Sequence, residues 1–130
     1  MKYRGQVIKE LGDGILGVFE TPVEALNAAL EVQEVTRSHR KFELRIGMHS
    51  GDIIFDHGDI FGDAVNQSSR IQSVGVPSSI LISSKLHSEI ESESDFTTVS
   101  LGSFSLKNVS KQLELFALTN PPLVIPKRHE

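Results

Sequence analysis

The stretch Lys9-Glu10-Leu11-Gly12-Asp13-Gly14-Ile15-Leu16-Gly17-Val18-Phe19 places a Gly-Asp-Gly turn between two apolar segments. Because glycine adopts positive φ without a steric penalty, this pattern predicts a β-hairpin with Asp13 at its tip. The Asp13 carboxylate has two interpretations. It either completes the chemistry of the turn, or it stands on an open rim as an oxygen ligand for a hard cation such as Mg²⁺. The local sequence alone favours the first, because Asp-Gly is a common hairpin signal.

Length and composition describe one ordinary domain. The chain has 130 residues, of which 38% are hydrophobic and 23% are charged, as in globular proteins with a modest core. A net charge of -4 gives no basic surface for nucleic acid, so we expect no nucleic-acid partner. The absence of cysteine excludes disulfides and thiolate metal sites. No apolar segment has the length of a membrane span, and no signal peptide is recognisable, so we expect a cytoplasmic protein.

Hydrophobic periodicity predicts the element order β-β-α-β-β-α-β-α-β-β, an α+β sandwich whose strands are covered by helices on one side. The predicted domain occupies residues 1–120, and residues 121–130 form a loosely held tail. The first helix begins after Thr21, which is expected to form a capping box with Glu24. This helix is expected to extend to about Arg37.

A second helix is predicted across residues 59–71. Its spacing places Asp63, Asn66 and Arg70 along one polar stripe. Asn66 and Arg70 are four residues apart, so an amide and a guanidinium project side by side, a pair suited to a hydroxyl and a phosphate oxygen. The alternative is a solvated helix face on which Asp63 offsets the charge of Arg70.

The segment 42–48 alternates apolar residues with others and predicts a strand with one buried face. Two histidines follow it, His49 at the strand end and His57 in the next loop. Since neither has a second histidine at a ligand spacing, both are interpreted as ordinary strand-end and loop residues.

Four blocks of the sequence are more specific together than any one of them alone. They are Lys9-x-x-Gly12-Asp13-Gly14, Arg45-Ile46-Gly47-Met48-His49-Ser50-Gly51, Asp59-Ile60-Phe61-Gly62-x-x-Val65-Asn66-x-x-x-Arg70 and Leu106-Lys107. In content, order and approximate spacing they resemble the class III nucleotidyl cyclase catalytic domain, the adenylate and guanylate cyclase family. The resemblance extends from about Gly5 to Leu118.

The resemblance implies a ferredoxin-like α+β fold with a mostly antiparallel sheet covered by helices. It implies a homodimer with active sites at the subunit interface. The implied activity is that of an adenylate cyclase in intracellular signalling, which converts ATP to 3',5'-cyclic AMP and pyrophosphate with Mg²⁺ or Mn²⁺.

The resemblance also assigns roles to individual residues. Asp13 matches the second of the family's two metal-binding aspartates. Lys9 and Asp59 match the pair that recognises adenine. Asn66 and Arg70 match the residues that position the ribose and stabilise the transition state. A lysine that holds the terminal phosphates is matched by Lys107.

Two departures from the family pattern matter. The family's first metal aspartate lies in an upstream strand resembling Asp-Ile-x-Gly-Phe, followed by a phosphate-binding turn and two helices, and none of this precedes Met1. We therefore expect a truncated catalytic domain that lacks the first strand and first helices, with a regulatory domain upstream in the full-length protein. Asn108 stands where a glycine is usual after the lysine, which predicts a stiffer turn.

Three functional hypotheses follow from these observations. The first is a fragment of a working adenylate cyclase, and the complete set of purine, ribose and phosphate residues favours it. The second is a non-catalytic cyclase-like module that dimerises or binds nucleotide. An RNA-binding ferredoxin-like module is disfavoured, because the chain is acidic, lacks tryptophan and has one tyrosine, whereas such modules use aromatic residues on a basic sheet.

Overall fold

The computed structural model describes residues 5–11, 14–39, 43–56, 59–107 and 109–128. Within these residues the chain forms an α+β fold of strands and three helices. In chain order the elements are β1 (Gly5–Leu11), β2 (Gly14–Phe19), α1 (Pro22–His39), β3 (Arg45–Met48), β4 (Ile54–Asp56), β5 (Asp59–Phe61), α2 (Asp63–Ser73), β6 (Ser79–Ser83), α3 (Ser84–Ile90), β7 (Thr98–Phe104) and β8 (Leu113–Leu118). No helix in these ranges is long and apolar enough to cross a membrane.

The main sheet has four strands in the order β3-β6-β8-β7. β3 and β6 are parallel, with Arg45 opposite Ser79 and Met48 opposite Ile82, whereas β8 is antiparallel to both of its neighbours. β1 with β2, and β4 with β5, form separate antiparallel hairpins. Antiparallel pairs therefore predominate, as predicted. The parallel pair brings the carboxyl ends of β3 and β6 side by side.

Both faces of this sheet are covered. Successive side chains of a strand point to opposite faces, and in β6 Ile80 and Ile82 belong to one apolar cluster while Leu81 belongs to the other. The first cluster includes Leu26 of α1, and the second includes Ile71 of α2. The prediction of helices on one side was therefore wrong in this detail, because α2 packs on the face opposite α1.

The start of α1 is capped as predicted. The Glu24 N–H donates to Thr21 Oγ1 at 3.2 Å, and the Thr21 hydroxyl donates to Glu24 Oε1 at 2.9 Å. Further along the helix, Gln33 is only 4% exposed. Its Nε2 donates to the carbonyl oxygens of Leu44 and Ser79, at 3.0 Å each. These hydrogen bonds fix α1 to the segments that lead into β3 and β6.

The helix predicted across 59–71 begins later than expected. Its first residues form β5, in which Asp59 lies opposite Asp56 of β4, and α2 starts at Asp63. Gly62, with φ of 137°, separates the strand from the helix. Only glycine adopts this φ readily, so the glycine ends the strand at this point.

The segment after β8 makes specific contacts. The Val124 N–H donates to the carbonyl oxygen of Ser78 at 3.0 Å. Arg37 of α1 donates from Nη1 to the carbonyl oxygen of Pro122 at 2.6 Å. Residues 122–124 are therefore held against α1 and the loop before β6, more firmly than the sequence predicts.

Candidate functional site

α2 lies directly on β3, and Gly47 sets the distance between them. A Cβ atom at Gly47 would lie 2.2 Å from the backbone nitrogen of Gln72 and 2.6 Å from its Cα. No side chain fits in that space, so the glycine permits the close approach of two backbones. Because α2 carries Asn66 and Arg70, Gly47 determines where these two side chains stand.

Asn66 is exposed and Arg70 is partly exposed on the same side of α2. Within the described residues, neither side chain has a hydrogen-bond or ion-pair partner. Asp63, the candidate counter-ion of Arg70, instead accepts a hydrogen bond from Gln67 Nε2 at 3.2 Å. The structure thus does not support the alternative in which Asp63 offsets Arg70.

Lys107 lies exposed in the connection between β7 and β8, and in the described part of the chain it has no ion-pair partner. A cavity of about 310 Å³ lies between this connection and α2. Its walls are formed by Asp63, Gln67, Val109, Ser110, Lys111 and Leu113. Asp63 and Gln67 lie beside Asn66 and Arg70 on one face of α2, because residues three or four apart in a helix are neighbours on its surface. The elements that carry Asn66, Arg70 and Lys107 therefore flank one cleft, although none of the three is in its wall.

Lys9 and Asp59 lie on strands that approach each other. Lys9 of β1 pairs with Leu16 across the first hairpin, and Asp59 begins β5. Cα atoms of β1 and β5 come within 8 Å of one another. The fold therefore brings together two strands that are far apart in sequence and that carry the predicted adenine-recognising pair. Asp13 lies outside the described residues.

The sequence model of the adenylate and guanylate cyclase catalytic domain matches residues 5–120. This chain belongs to that family. The putative adenylate cyclase 3 of Rhizobium meliloti is 30% identical over 121 residues, which cover 88% of this chain and 21% of that protein. The guanylate cyclase soluble subunit beta-2 of Homo sapiens is 26% identical over 133 residues, which cover 87% of this chain and 21% of that protein.

The match extends to solved structures. The crystal structure of an adenylate/guanylate cyclase/hydrolase from Silicibacter pomeroyi has a TM-score of 0.78 at 33% identity, covering 88% of this chain and 72% of that one. The predicted cyclase fold is thereby confirmed. The chain spans about a fifth of the length of the two sequence relatives. Since both adenylate and guanylate cyclases occur among the relatives, family membership leaves the purine base open.

The described residues of the cyclase domain contain no group of three or more histidine, aspartate or glutamate side chains placed to hold a metal ion. The one carboxylate that the sequence assigns to a metal, Asp13, lies outside these residues. The metal site at Asp13 therefore stays a prediction.

Sequence reasoning missed two residues that shape this site of the cyclase domain. Gly47 interrupts the strand of apolar residues, and a glycine inside a strand often marks a close approach of another backbone. His49, interpreted as an ordinary strand-end residue, has its Nδ1 atom 2.7 Å from Ser83 Oγ. No local pattern predicts this contact, because the two residues are 34 positions apart.

A second cavity, of about 200 Å³, lies between α1 and the segment after β8. It is bordered by residues such as Gln33, Arg37 and Pro122, at the end of the sheet where β3 and β6 begin. None of the predicted site residues lines it, so we assign it no part in the cyclase site.

Proposed function

We propose that this cyclase domain is an adenylate cyclase, which converts ATP to 3',5'-cyclic AMP and pyrophosphate. The observation that supports the proposal most is the pair Asn66 and Arg70. An amide and a guanidinium stand one turn apart on α2, and neither has a partner among the described residues. A guanidinium without a counter-ion beside a cleft is available for bidentate hydrogen bonds to phosphate oxygens.

Cyclisation needs little covalent chemistry from the protein. The ribose 3'-oxygen attacks the α-phosphorus in line, the bond from that phosphorus to the pyrophosphate oxygen breaks, and the proton of the 3'-hydroxyl passes to water. Catalysis therefore depends mostly on positioning and on neutralising charge at the phosphate oxygens. In this proposal Asn66 holds the ribose, Arg70 neutralises charge on the α-phosphate, and Lys107 binds the terminal phosphates.

The choice of adenine over guanine is assigned to Lys9 and Asp59. A lysine ammonium donates to a ring nitrogen of adenine, and an aspartate carboxylate accepts from its amino group. Guanine presents the opposite arrangement of donor and acceptor at these positions. The approach of β1 to β5 supports the joint action of the two residues.

Asp13 is proposed to supply one oxygen ligand for Mg²⁺ or Mn²⁺. An ion held there would supply Lewis-acid polarisation of the phosphoryl oxygens. The family pattern places a further aspartate in a preceding strand. We therefore expect full activity from a polypeptide that carries that strand together with residues 1–130.

An activity assay tests the proposed function. The longer polypeptide is purified and incubated with ATP or with GTP, in the presence of Mg²⁺ or Mn²⁺, and the cyclic product is identified by mass spectrometry. We expect cyclic AMP from ATP. If the longer polypeptide forms no cyclic nucleotide, the chain is instead a non-catalytic cyclase module. Calorimetry with a non-cleavable ATP analogue then shows whether that module binds nucleotide.

The proposed homodimer has active sites at the subunit interface, and in that arrangement Asp13 and Lys9 of one chain serve different sites. Asp13→Ala protein is expected to be inactive alone, and Lys9→Ala protein is expected to retain only a small residual activity. After mixing, activity should recover to about a quarter of the wild-type value, since half of randomly mixed dimers contain one intact site.

A mixture of Lys9→Ala with Asp59→Ala protein is the matched control for this exchange. Both residues belong to the same adenine-recognising pair of one chain, so every site in the mixed dimers carries one defect. We expect no recovery in this control. Equal recovery of activity in both mixtures, or no recovery in either, would contradict the proposal that each active site takes residues from both subunits.

A further inference from the structure

His49 directly follows β3 and joins three elements of the cyclase domain. Its Nδ1 atom lies 2.7 Å from the Oγ of Ser83, the residue that caps α3 and accepts a hydrogen bond from the Leu86 N–H at 3.2 Å. On its other side the ring faces Gly51. A Cβ atom at Gly51 would lie 3.7 Å from His49 Nε2 and 2.9 Å from the Cβ of Ala64 in α2. The imidazole therefore sits between the start of α3 and the first turn of α2.

The protonation state of His49 follows from the surroundings of Ser83. Ser83 is 1% exposed, so water does not accept its hydroxyl proton. The Ser83 oxygen already accepts from Leu86, and within the described residues its only other hydrogen-bond partner is His49 Nδ1. The hydroxyl must therefore donate to Nδ1, which leaves the ring proton of a neutral imidazole on Nε2.

The charged groups around the ring shift the pKa of His49 in both directions. Burial lowers the pKa of His49 below its ordinary value, and Lys85 of α3 lowers it further. Asp63 of α2 and Glu89 of α3 oppose this effect, but burial is the largest cause and the pKa stays lowered. The neutral form inferred from the hydrogen bond to Ser83 agrees with this direction.

We propose that neutral His49 is a positioning residue for α2, and that cyclase activity falls when His49 takes up a proton. A protonated ring carries a hydrogen on Nδ1, so the buried Ser83 hydroxyl loses its acceptor and the ring is pushed from the start of α3. Because the His49 ring and Ala64 both lie against Gly51, a displaced ring shifts the first turn of α2. The inference rests on the proposed function, since α2 carries Asn66 and Arg70.

Protonation also lowers the stability of the folded domain. In the unfolded chain His49 takes up its proton as the pH falls through about 6.5. The folded chain does so only at lower pH, because its pKa is lowered. The free energy of unfolding therefore decreases from about pH 6.5 down to the folded pKa of His49, and below it this group contributes no further change.

Two substitutions of His49 distinguish the effect of its hydrogen bond with Ser83 from the effect of its protonation. In His49→Asn the side-chain oxygen can occupy the position of Nδ1 and accept from Ser83, but it does not titrate. In His49→Gln the amide extends toward the position of Nε2, so Ser83 is left without its acceptor at every pH. His87→Gln is the matched control for loss of a histidine elsewhere, since His87 lies in the last turn of α3 and stacks on Phe116.

Cyclase activity is measured for these proteins between about pH 7.5 and 5.5, in the longer polypeptide and in one buffer series. The ratio of wild-type to His49→Asn activity should decrease by up to about fivefold on acidification, the equivalent of one lost hydrogen bond. His49→Gln should be impaired already at pH 7.5, and His87→Gln should follow the wild type. A ratio that does not change with pH would overturn the proposal.

An NMR measurement that does not depend on cyclase activity tests the role of His49 separately from the proposed function. Nitrogen-15 NMR of the histidine rings should show His49 as the Nε2–H tautomer at neutral pH, with a lowered pKa, and α2 amide signals should shift as His49 titrates. If the protein is inactive but these shifts occur, the proposed function fails and the positioning by His49 stands. An Nδ1–H tautomer, or α2 signals unaffected by the titration, would refute the positioning role.

Discussion

Replacing Arg70 by alanine is expected to lower the rate of cyclic AMP formation by about a hundredfold or more. The proposed role of the guanidinium is to neutralise charge that develops on the α-phosphate oxygens in the transition state. Such an interaction contributes to kcat more than to ATP binding. Steady-state kinetics of the longer polypeptide should therefore show a large loss in kcat and a small change in KM.

The stability of Arg70→Ala protein provides the first control. Arg70 has no side-chain partner among the described residues. The free energy of unfolding of Arg70→Ala protein, measured by thermal denaturation, should therefore be within about 0.5 kcal/mol of the wild-type value. Arg70→Lys keeps the charge but loses the planar fork, and it should recover only part of the rate. Ser69 is the exposed neighbour of Arg70, so Ser69→Ala is the matched control and should have wild-type kinetics. A loss of less than threefold in Arg70→Ala would contradict the role of Arg70.

Replacing Gly47 by alanine is expected to destabilise the domain by about 3 kcal/mol and to abolish activity. The new methyl group would lie 2.2 Å from the backbone nitrogen of Gln72, and a backbone atom in a helix cannot move aside alone. β3 and α2 must separate, which opens the core around Ile71 and displaces Asn66. Denaturant unfolding measures the first effect, and the cyclase assay measures the second.

Gly75→Ala is the comparison for this substitution. A Cβ atom at Gly75 would meet the side-chain oxygen of Ser79 at 3.1 Å as its nearest neighbour. The backbone carbonyl oxygen of Gln72 follows at 3.3 Å. Each contact needs a shift of only a few tenths of an ångström, so this variant should lose about 1 kcal/mol, less than Gly47→Ala. Equal stability of the Gly47→Ala and Gly75→Ala proteins would show that α2 does not depend on Gly47 for its position.

Much of the fold was predictable because local signals and tertiary structure agree. The capping box of Thr21 and Glu24 fixed the start of α1, and it is present in the structure. The terminal hairpin and β6 were recognisable from apolar runs between turn residues. The start of α2 was not predictable from the sequence, because the short segment Asp59–Phe61 fits a helical spacing as well as a strand. Its pairing with β4 decided between the two.

The candidate site was predictable in its components and not in its arrangement. The spacing of Asn66 and Arg70 placed them on one helix face, as the structure has them. The approach of β1 to β5 is a tertiary feature that no local pattern contains. The same holds for the contact of His49 with Ser83, since both residues have ordinary interpretations within their own segments.

Competition between ATP and GTP tests the central claim most directly. The longer polypeptide is given equal concentrations of both nucleotides, and the two cyclic products are measured in the same sample. Because Lys9 and Asp59 complement adenine and oppose guanine, we expect cyclic AMP to exceed cyclic GMP by at least about tenfold. The excess should shrink in Lys9→Ala and Asp59→Ala proteins. Cyclic GMP as the main product would contradict the assignment of this domain as an adenylate cyclase.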